Sequence, residues 1–309
     1  MLNRRELLKL SITATATALL PGTSIAADTI VKGPFRFCLN TSTISGQKTG
    51  LLNTIEIAAK AGYDGMELWI NDIKDYIKQG NSIESLAKFI SSKGIAIENL
   101  ISFTAWMVDD DIKRKAALVE LEEEMKMMVV LGCHRIAAPP AGVEKDKPLD
   151  FQKVGARYHE ILELGRKYNV MPLLEFWGAS GTLYNFGQAL AIAAAANDPD
   201  ASVLPDVYHL FRGGSGFEGL KLVSGKTIEV IHMNDYPASK PVNEQTDADR
   251  VYPGDGAAPI RQVLRDLKAM GDTKVLSLEL FNRTYWTQDA LLVASTGLQK
   301  MKSLVNEVM

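Results

Sequence analysis

Residues 203–232, VLPDVYHLFRGGSGFEGLKLVSGKTIEVIH, contain two short apolar runs that each end near a polar side chain. The first run carries Asp206 and the second carries His232. A carboxylate or an imidazole among apolar residues is costly to bury unless it is paired or bound to a cation. The segment therefore indicates two strands whose C-terminal ends bring functional side chains into a protected place.

Two more apolar runs repeat this pattern. PLLEFWG (172–178) carries Glu175, and VLSLELFN (275–282) carries Glu279. One shared ion explains four such positions on four successive strands more easily than four separate coincidences do. The sequence therefore predicts a metal centre held by Glu175, Asp206, His232 and Glu279.

Short β-type runs alternate with helical patterns from residue 35 onward. The predicted strands cover residues 35–43, 65–70, 95–103, 133–138, 170–176, 202–207, 228–233 and 275–281. The predicted helices cover residues 51–61, 83–93, 110–131, 150–168, 183–197, 217–223, 258–270 and 289–308. Apolar strands alternating with helices predict a parallel sheet, and eight such units predict a single-domain (β/α)8 TIM barrel. A doubly wound open sheet is disfavoured, because NTST (40–43) stands where a Gly-rich phosphate loop would follow the first strand.

The C-terminal strand ends of such a barrel converge on one face, so the four ligands could meet there. Three carboxylates and one imidazole suit Mn²⁺, Mg²⁺ or Co²⁺, with Zn²⁺ as a further possibility. A divalent ion can polarise a sugar carbonyl and stabilise the enediolate left by loss of the adjacent C–H proton. Glu175 and Glu279 come from separated strands, so one could take a proton while the other supplies one from the opposite face.

Five motifs occur in order along the chain: GYDGMELW (62–69), LLEFWG (173–178), Asp206-x-x-His209, His232-x-x-Asp235 and SLEL (277–280). From about residue 35 to the C-terminus, this set resembles the xylose isomerase-like TIM barrel superfamily. That superfamily includes ketose 3-epimerases, hydroxypyruvate isomerase, inosose dehydratase and endonuclease-IV-type nucleases. The resemblance implies metal ligation by the four residues named above, an acid/base role for the two glutamates, and contact of His209 with a substrate oxygen.

Three further residues are candidate substrate contacts, each with a structural alternative. Glu67 lies at the end of the second strand, where it could touch substrate or anchor a neighbouring loop. Asp235 has the same two alternatives. Trp177 could form an apolar wall for a sugar ring or simply pack in the core. His134 opens a strand and is expected at the opposite barrel face, and His159 is expected to face solvent from a charged helix.

A polar loop, residues 236–256, follows the seventh strand and is long enough to act as a lid. Many ketose epimerases bind a substrate hydroxyl with a basic residue shortly after the seventh-strand histidine. In this chain Lys240 and Arg250 are the basic residues in that region, and Arg250 precedes the turn YPGDG (252–256). Arg250 is therefore a further candidate substrate contact.

The N-terminus resembles a twin-arginine export signal. Residues 3–9 read NRRELLK, an apolar run follows at residues 10–20, and small residues around Ala26 suit a signal peptidase. The apolar run is too short for a transmembrane helix. The sequence therefore predicts a signal peptide at residues 1–26, a barrel at residues 27–309, a periplasmic location and no stable membrane anchor.

Charge and cysteine content narrow the remaining classes of protein. The net charge is -3 and no dense Lys/Arg run occurs, which argues against a nucleic-acid partner. Cys38 and Cys133 lie in apolar runs and are expected to be buried free thiols, with one disulfide as the alternative. Barrels of this kind are often dimers or tetramers, so a homo-oligomer is a further expectation.

The leading hypothesis is a divalent-metal-dependent sugar isomerase or epimerase that acts on a free sugar or keto sugar through an enediolate. The runner-up is a keto-sugar dehydratase or lyase, which shares the first proton abstraction and then expels water or an aglycone. An apurinic-site endonuclease is disfavoured, because that chemistry needs a histidine-rich three-metal cluster and the chain has 4 histidines. A non-catalytic sugar-binding protein is disfavoured by the retention of both Glu175 and Glu279.

Overall fold

Parallel strands and helices alternate throughout the computed structural model, which describes residues 33–145 and 147–309. The strands are β1 Phe35–Asn40, β2 Gly65–Trp69, β3 Ala96–Ile101, β4 Arg135–Ala138, β5 Met171–Glu175, β6 Val203–Leu204, β7 Val230–Met233 and β8 Lys274–Leu278. They form one 8-stranded sheet in the order β6-β5-β4-β3-β2-β1-β8-β7. The predicted signal peptide, residues 1–26, lies outside the described residues.

The two ends of this sheet meet at two of the predicted ligands. Asp206, just after β6, forms an isolated parallel bridge with His232 of β7. The His232 N–H donates to the Pro205 carbonyl oxygen at 3.0 Å. The sheet is therefore a nearly closed (β/α)8 barrel, which confirms the predicted fold and rules out an open doubly wound sheet.

Helices cover the outside of the barrel. They are α1 Leu51–Ala61, α2 Ile70–Lys78, α3 Ile83–Ser92, α4 Asp111–Leu131, α5 Phe151–Tyr168, α6 Phe186–Ala195, α7 Val207–Arg212, α8 Ile260–Ala269 and α9 Ala290–Asn306. Gly62 and Gly132 close α1 and α4 with φ of 90° and 68°, as their positions in the sequence predict. The predicted helix at residues 217–223 is a short 3-10 helix, Glu218–Leu222.

Two helices, α2 and α7, are absent from the sequence prediction. The first residue of α2, Ile70, directly follows the last residue of β2, so no loop residue separates the two elements. The six-residue α7 is rich in aromatic and β-branched residues that favour strands. It begins because the Asp206 carboxylate accepts the His209 backbone N–H at 2.8 Å as an N-cap. The predicted strand at residues 202–207 is consequently reduced to Val203–Leu204.

The apolar core has two parts. A large cluster fills the space between the strands and the surrounding helices. A smaller cluster takes one residue from each of seven strands and fills the barrel interior: Cys38, Ile101, Ala137, Leu173, Leu204, Val230 and Val275. Cys38 and Cys133 are both buried and free, as predicted. Within residues 33–145 and 147–309, every helix is too short or too polar to cross a membrane.

We predict that Gly155→Ala destabilises the barrel, because α5 and α6 pack closely at this glycine. An added Cβ would lie 2.6 Å from the Ala195 Cβ and 2.7 Å from the Ala195 carbonyl carbon. Overpacking of this kind costs about 1–3 kcal/mol of unfolding free energy. Thermal unfolding of the variant should therefore show a lower Tm.

The matched control is Gly187→Ala in α6, where the nearest heavy atom to an added Cβ is the Asn185 Oδ1 at 3.5 Å. Helix propensity alone should stabilise this variant by roughly 0.5–1 kcal/mol. Equal Tm changes for the two variants would contradict close packing at Gly155.

Candidate active site

The four predicted ligands come together at the C-terminal end of the barrel. Glu175 is the last residue of β5, His232 lies in β7, and Glu279 directly follows β8. Asp206 directly precedes α7, which places it next to His232 at the closure of the sheet. All four side chains are buried.

His232 Nδ1 is the centre of this group. It lies 3.2 Å from Glu279 Oε2, 3.6 Å from Asp206 Oδ2 and 3.9 Å from Glu175 Oε1. One ligand atom from each of Asp206, His232 and Glu279 lies within 4.8 Å of the others. Glu175 stands beside this triplet rather than within it.

Two buried atoms of the group have no hydrogen-bond partner among the described residues: His232 Nδ1 and Glu175 Oε2. Buried polar atoms are rarely left unpaired without a functional reason. Three carboxylates and one imidazole form a donor set that suits a divalent cation. The residues present therefore fit the predicted metal centre.

The electrostatics also favour a cation. The pKa of the Glu175 carboxyl is raised to about 8, chiefly by burial and also by the charges of Glu279 and Asp206, which together outweigh the lowering effect of His232. Burial by itself would lower the pKa of His232, but the Glu279 and Glu67 carboxylates hold it well above its ordinary value. Negative charge is thus in excess here, and a proton or a metal ion relieves it.

Arg250 brings the long loop into contact with the ligands. Its Nη1 donates to Asp206 Oδ2 at 2.8 Å and to Glu279 Oε2 at 2.7 Å. Its Nη2 donates to Asp247 Oδ1 at 2.6 Å and contacts His209 Nε2 at 3.1 Å. The guanidinium is 1% exposed and partly compensates two of the carboxylates.

His209 presents a free N–H group. Its Nε2 accepts from Arg250, so Nδ1 carries the proton, and Nδ1 has no partner in the described part of the chain. Burial and the Arg250 charge lower the pKa of His209, which keeps the ring neutral. A neutral imidazole with an unused donor is suited to bind a substrate oxygen.

A cavity of about 480 Å³ opens beside the ligands. Its polar wall includes Glu175, His209, Arg250 and Glu279, and its aromatic wall consists of Trp69, Phe103, Trp177 and Phe281. The ring of Trp69 lies 5.1 Å from that of Phe103 and 6.0 Å from that of Phe281. Phe103 also lies 6.4 Å from Trp177. Trp69, Phe103 and Phe281 were not predicted from the sequence as cavity residues, although each ends or closely follows a strand.

Two predicted substrate contacts, Glu67 and Asp235, are not among the residues that line this cavity. Glu67 is fully buried in the barrel interior. The Asp235 carboxylate accepts four backbone N–H groups, from Tyr236, Gly254, Gly256 and Ala258, at 2.8–3.1 Å. Asp235 therefore fixes the turn that ends the long loop, which is the structural alternative that the sequence left open.

The remaining histidines lie away from the ligands. His134 precedes β4 and its Nδ1 lies 3.0 Å from the Asn169 carbonyl oxygen. His159 is half-exposed on α5 and its Nδ1 lies 3.0 Å from Asp198 Oδ2. Both positions agree with the structural and solvent-facing roles that the sequence predicts.

The chain is similar in sequence to one barrel family and to enzymes of two kinds, isomerases and dehydratases. A model of the xylose isomerase-like TIM barrel family matches residues 55–304. The chain is 28% identical to an inosose isomerase of Bacillus velezensis over 279 residues, which cover 88% of this chain and 98% of that protein. It is 24% identical to a 3-dehydroshikimate dehydratase of Pseudomonas putida over 255 residues, which cover 80% of this chain and 38% of that protein.

Solved structures share the same architecture. The IolI protein, crystallised with a zinc atom, superposes with a TM-score of 0.81 at 26% identity and covers 89% of this chain and 99% of its own. An L-ribulose 3-epimerase superposes with a TM-score of 0.68 at 16% identity and covers 88% of this chain and 95% of its own. The second likeness is one of fold alone.

We predict that Zn²⁺ or Mn²⁺ raises the Tm of the chelator-treated protein, because a cation that binds only the folded state stabilises it. At a metal concentration 100 times the Kd, the gain in unfolding free energy is about 2.7 kcal/mol. His232→Asn should abolish the metal-dependent rise, whereas His134→Asn should retain it. A rise that persists in His232→Asn would place the metal elsewhere.

Proposed function

The chain belongs to the xylose isomerase-like TIM barrel family, and we propose that it is a divalent-metal-dependent isomerase or epimerase of a free sugar or keto sugar. The observation that carries this proposal is the buried group of Glu175, Asp206, His232 and Glu279, in which His232 Nδ1 has no hydrogen-bond partner from residues 33–145 or 147–309. The inosose isomerase relatives support proton transfer next to a carbonyl as the reaction class.

The four residues would hold the cation, which when bound supplies electrostatic stabilisation of negative charge on the substrate oxygens. Among the described residues Glu175 Oε2 has no hydrogen-bond partner, so it is free to take or return a proton at a substrate carbon. Glu279 enters the cavity from β8 and would serve the other face. Both acids line the same cavity, as a two-base mechanism requires.

Other cavity residues would bind and orient the sugar. The His209 Nδ1–H would donate to a substrate oxygen. Arg250, whose N–H groups already contact Asp206, His209, Asp247 and Glu279, would hold those side chains in place beside the substrate. Trp177, two residues after Glu175, would cover an apolar C–H face of the ring. These groups would hold the reacting carbon against the acid/base pair while excluding water.

We further propose that the substrate is not phosphorylated and that the protein is exported to the periplasm. The support for export is the twin-arginine-like leader at residues 1–26. Among the described residues that line the cavity, Lys145 and Arg250 are the cations. Arg250 is already paired with Asp206 and Glu279, so little positive charge is left for a phosphate.

A dehydratase or lyase is the second candidate function. The similarity to 3-dehydroshikimate dehydratases favours it, because loss of water at the β position can follow the same proton abstraction. The two reactions differ in whether the enediolate is reprotonated or expels a leaving group.

Proton NMR in D₂O with a panel of free ketoses, inososes and 3-keto sugars tests the proposal. The panel is run with Mn²⁺, Mg²⁺, Co²⁺ or Zn²⁺ and again with chelator. We expect deuterium next to the carbonyl and a new isomer only when metal is present. An unsaturated product would instead establish the dehydratase or lyase, and no exchange with any compound would refute both.

Glu175→Gln should reduce the rate of deuterium exchange about 10²–10⁴-fold, because it removes a proton-transfer group. The metal content of the variant is measured alongside, since Glu175 is also a proposed ligand. A variant that retains metal and exchanges at the wild-type rate would exclude Glu175 as acid or base.

A further inference from the structure

Glu67 is a buried carboxylate directly beside the metal ligands. Its Oε1 accepts from Asn99 Nδ2 at 2.9 Å, and its Oε2 accepts from Asn40 Nδ2 at 3.0 Å and from Ser277 Oγ. His232 Nε2 lies 3.2 Å from Oε1 and 3.1 Å from Oε2. Four side chains thus hold one fully buried carboxylate in a single orientation.

This arrangement decides which nitrogen of His232 faces the ligand oxygens. The Glu67 carboxylate can only accept, so His232 Nε2 must carry a proton and donate it. His232 Nδ1 is then the ring nitrogen that faces Glu279, Asp206 and Glu175. Carboxylates that bind the second nitrogen of a ligating histidine fix its orientation and raise its basicity as a ligand.

Asn40 extends the same network to a second ligand. Its Nδ2 donates to Glu279 Oε1 at 3.2 Å as well as to Glu67. Its Oδ1 accepts from Trp69 Nε1 at 2.9 Å, which connects the network to the aromatic wall of the cavity. One amide therefore orients Glu279 and Trp69 together.

We propose that Glu67, held by Asn40, Asn99 and Ser277, is a positioning residue of the metal centre that presents His232 Nδ1 to the cation. This role replaces the substrate contact expected from sequence. It concerns metal affinity, so it holds or fails whichever reaction the protein catalyses.

The first test measures Zn²⁺ affinity of Glu67→Gln by competition with a fluorescent chelator. We expect a loss of about 10–100-fold. Glu98→Gln is the matched control, because Glu98 is also a buried carboxylate on the neighbouring strand but pairs with Arg36 and Arg135. A purely structural role would lower the Tm of Glu67→Gln and leave its Zn²⁺ affinity like that of Glu98→Gln, which would overturn the proposal.

The second test is long-range ¹H–¹⁵N NMR of the Zn²⁺-loaded protein, which has 4 histidines to resolve. The His232 signal, identified by its loss in His232→Asn, should show a proton on Nε2 and none on Nδ1. The opposite tautomer would overturn the proposal even if the affinity falls.

The outer part of the cavity is apolar and more exposed to solvent than its inner end. Glu175 and Glu279 at the inner end are about 4–5% exposed, whereas Phe103 is 36% exposed. Pro140 and Val143 line the cavity together with Phe103 and Trp177. A polyhydroxylated ring bound to the inner polar groups and covered by Trp177 would leave Phe103, Pro140 and Val143 in contact with water. A volume of about 480 Å³ lies within the range for ligands larger than one sugar ring.

We infer that the substrate carries a second ring with an apolar face, an inference that rests on the proposed function. This ring is attached to the reacting sugar and packs against Phe103, which itself lies between Trp69 and Trp177. Phe103 is partly exposed and lines the cavity, so its ring is available for a tilted or offset contact with a ring of the substrate.

Ligand-observed NMR titration of methyl and phenyl β-D-glucopyranoside tests this inference, because neither compound has the carbonyl needed to react. The phenyl glycoside should bind the Zn²⁺-loaded protein about tenfold more tightly, and Phe103→Ala should remove that gain. Phe151→Ala, which is also 36% exposed but lies outside the cavity lining, should leave it unchanged.

Equal binding of the two glycosides, no binding of the phenyl glycoside, or a gain that survives Phe103→Ala would overturn the second ring. Deuterium exchange with free keto sugars is unaffected by these outcomes. The proposed reaction and the proposed substrate extension can therefore fail separately.

Discussion

The concentration of negative charge around His232 is the constraint on which the site depends. Three carboxylates approach Nδ1 within 3.9 Å and a fourth, Glu67, faces Nε2. Like charges at this spacing in a protein interior repel strongly, so they need cations or donors close by. Arg250 supplies one cation from the long loop, and the amides of Asn40 and Asn99 supply donors from the strands. His232 Nδ1, which has no hydrogen-bond partner in the described part of the chain, marks where a bound cation would offset the remaining negative charge.

Two residues of this centre, Asp206 and His232, also bring the two ends of the sheet together. Asp206 bridges to His232, caps α7, and accepts from Asn234 Nδ2 at 2.9 Å. Strand β6 needs only two residues because Asp206 begins the next helix immediately. The positions of Asp206 and His232 are therefore set by the backbone contacts that bring the two ends of the sheet together.

The cavity combines a fixed polar end with an aromatic wall. The polar end allows proton transfer beside a stabilised oxyanion, which isomerases, epimerases and dehydratases all require. Trp69 of this wall ends a strand, whereas Phe103, Trp177 and Phe281 lie in loops that follow strands, and such loops can vary without disturbing the ligands. One scaffold can thus support several reactions, and the residues around the substrate select among them.

Several features could be predicted from the amino-acid sequence: the alternation of eight strands with helices, the glycine caps of α1 and α4, and the strand-end positions of Glu175, Asp206, His232 and Glu279. These features are local, because periodicity, caps and isolated polar residues in apolar runs can be read within a few positions. Three other features required the folded structure: Glu67 lies against His232 Nε2, Asp235 fixes a turn, and Phe103 lines the cavity with three other aromatic rings. Those outcomes depend on strand register and on partners far apart in the chain: Glu67 meets His232 across 165 residues. Side-chain direction at a strand end is fixed by the neighbours that barrel closure brings to it, and a linear pattern does not contain those neighbours.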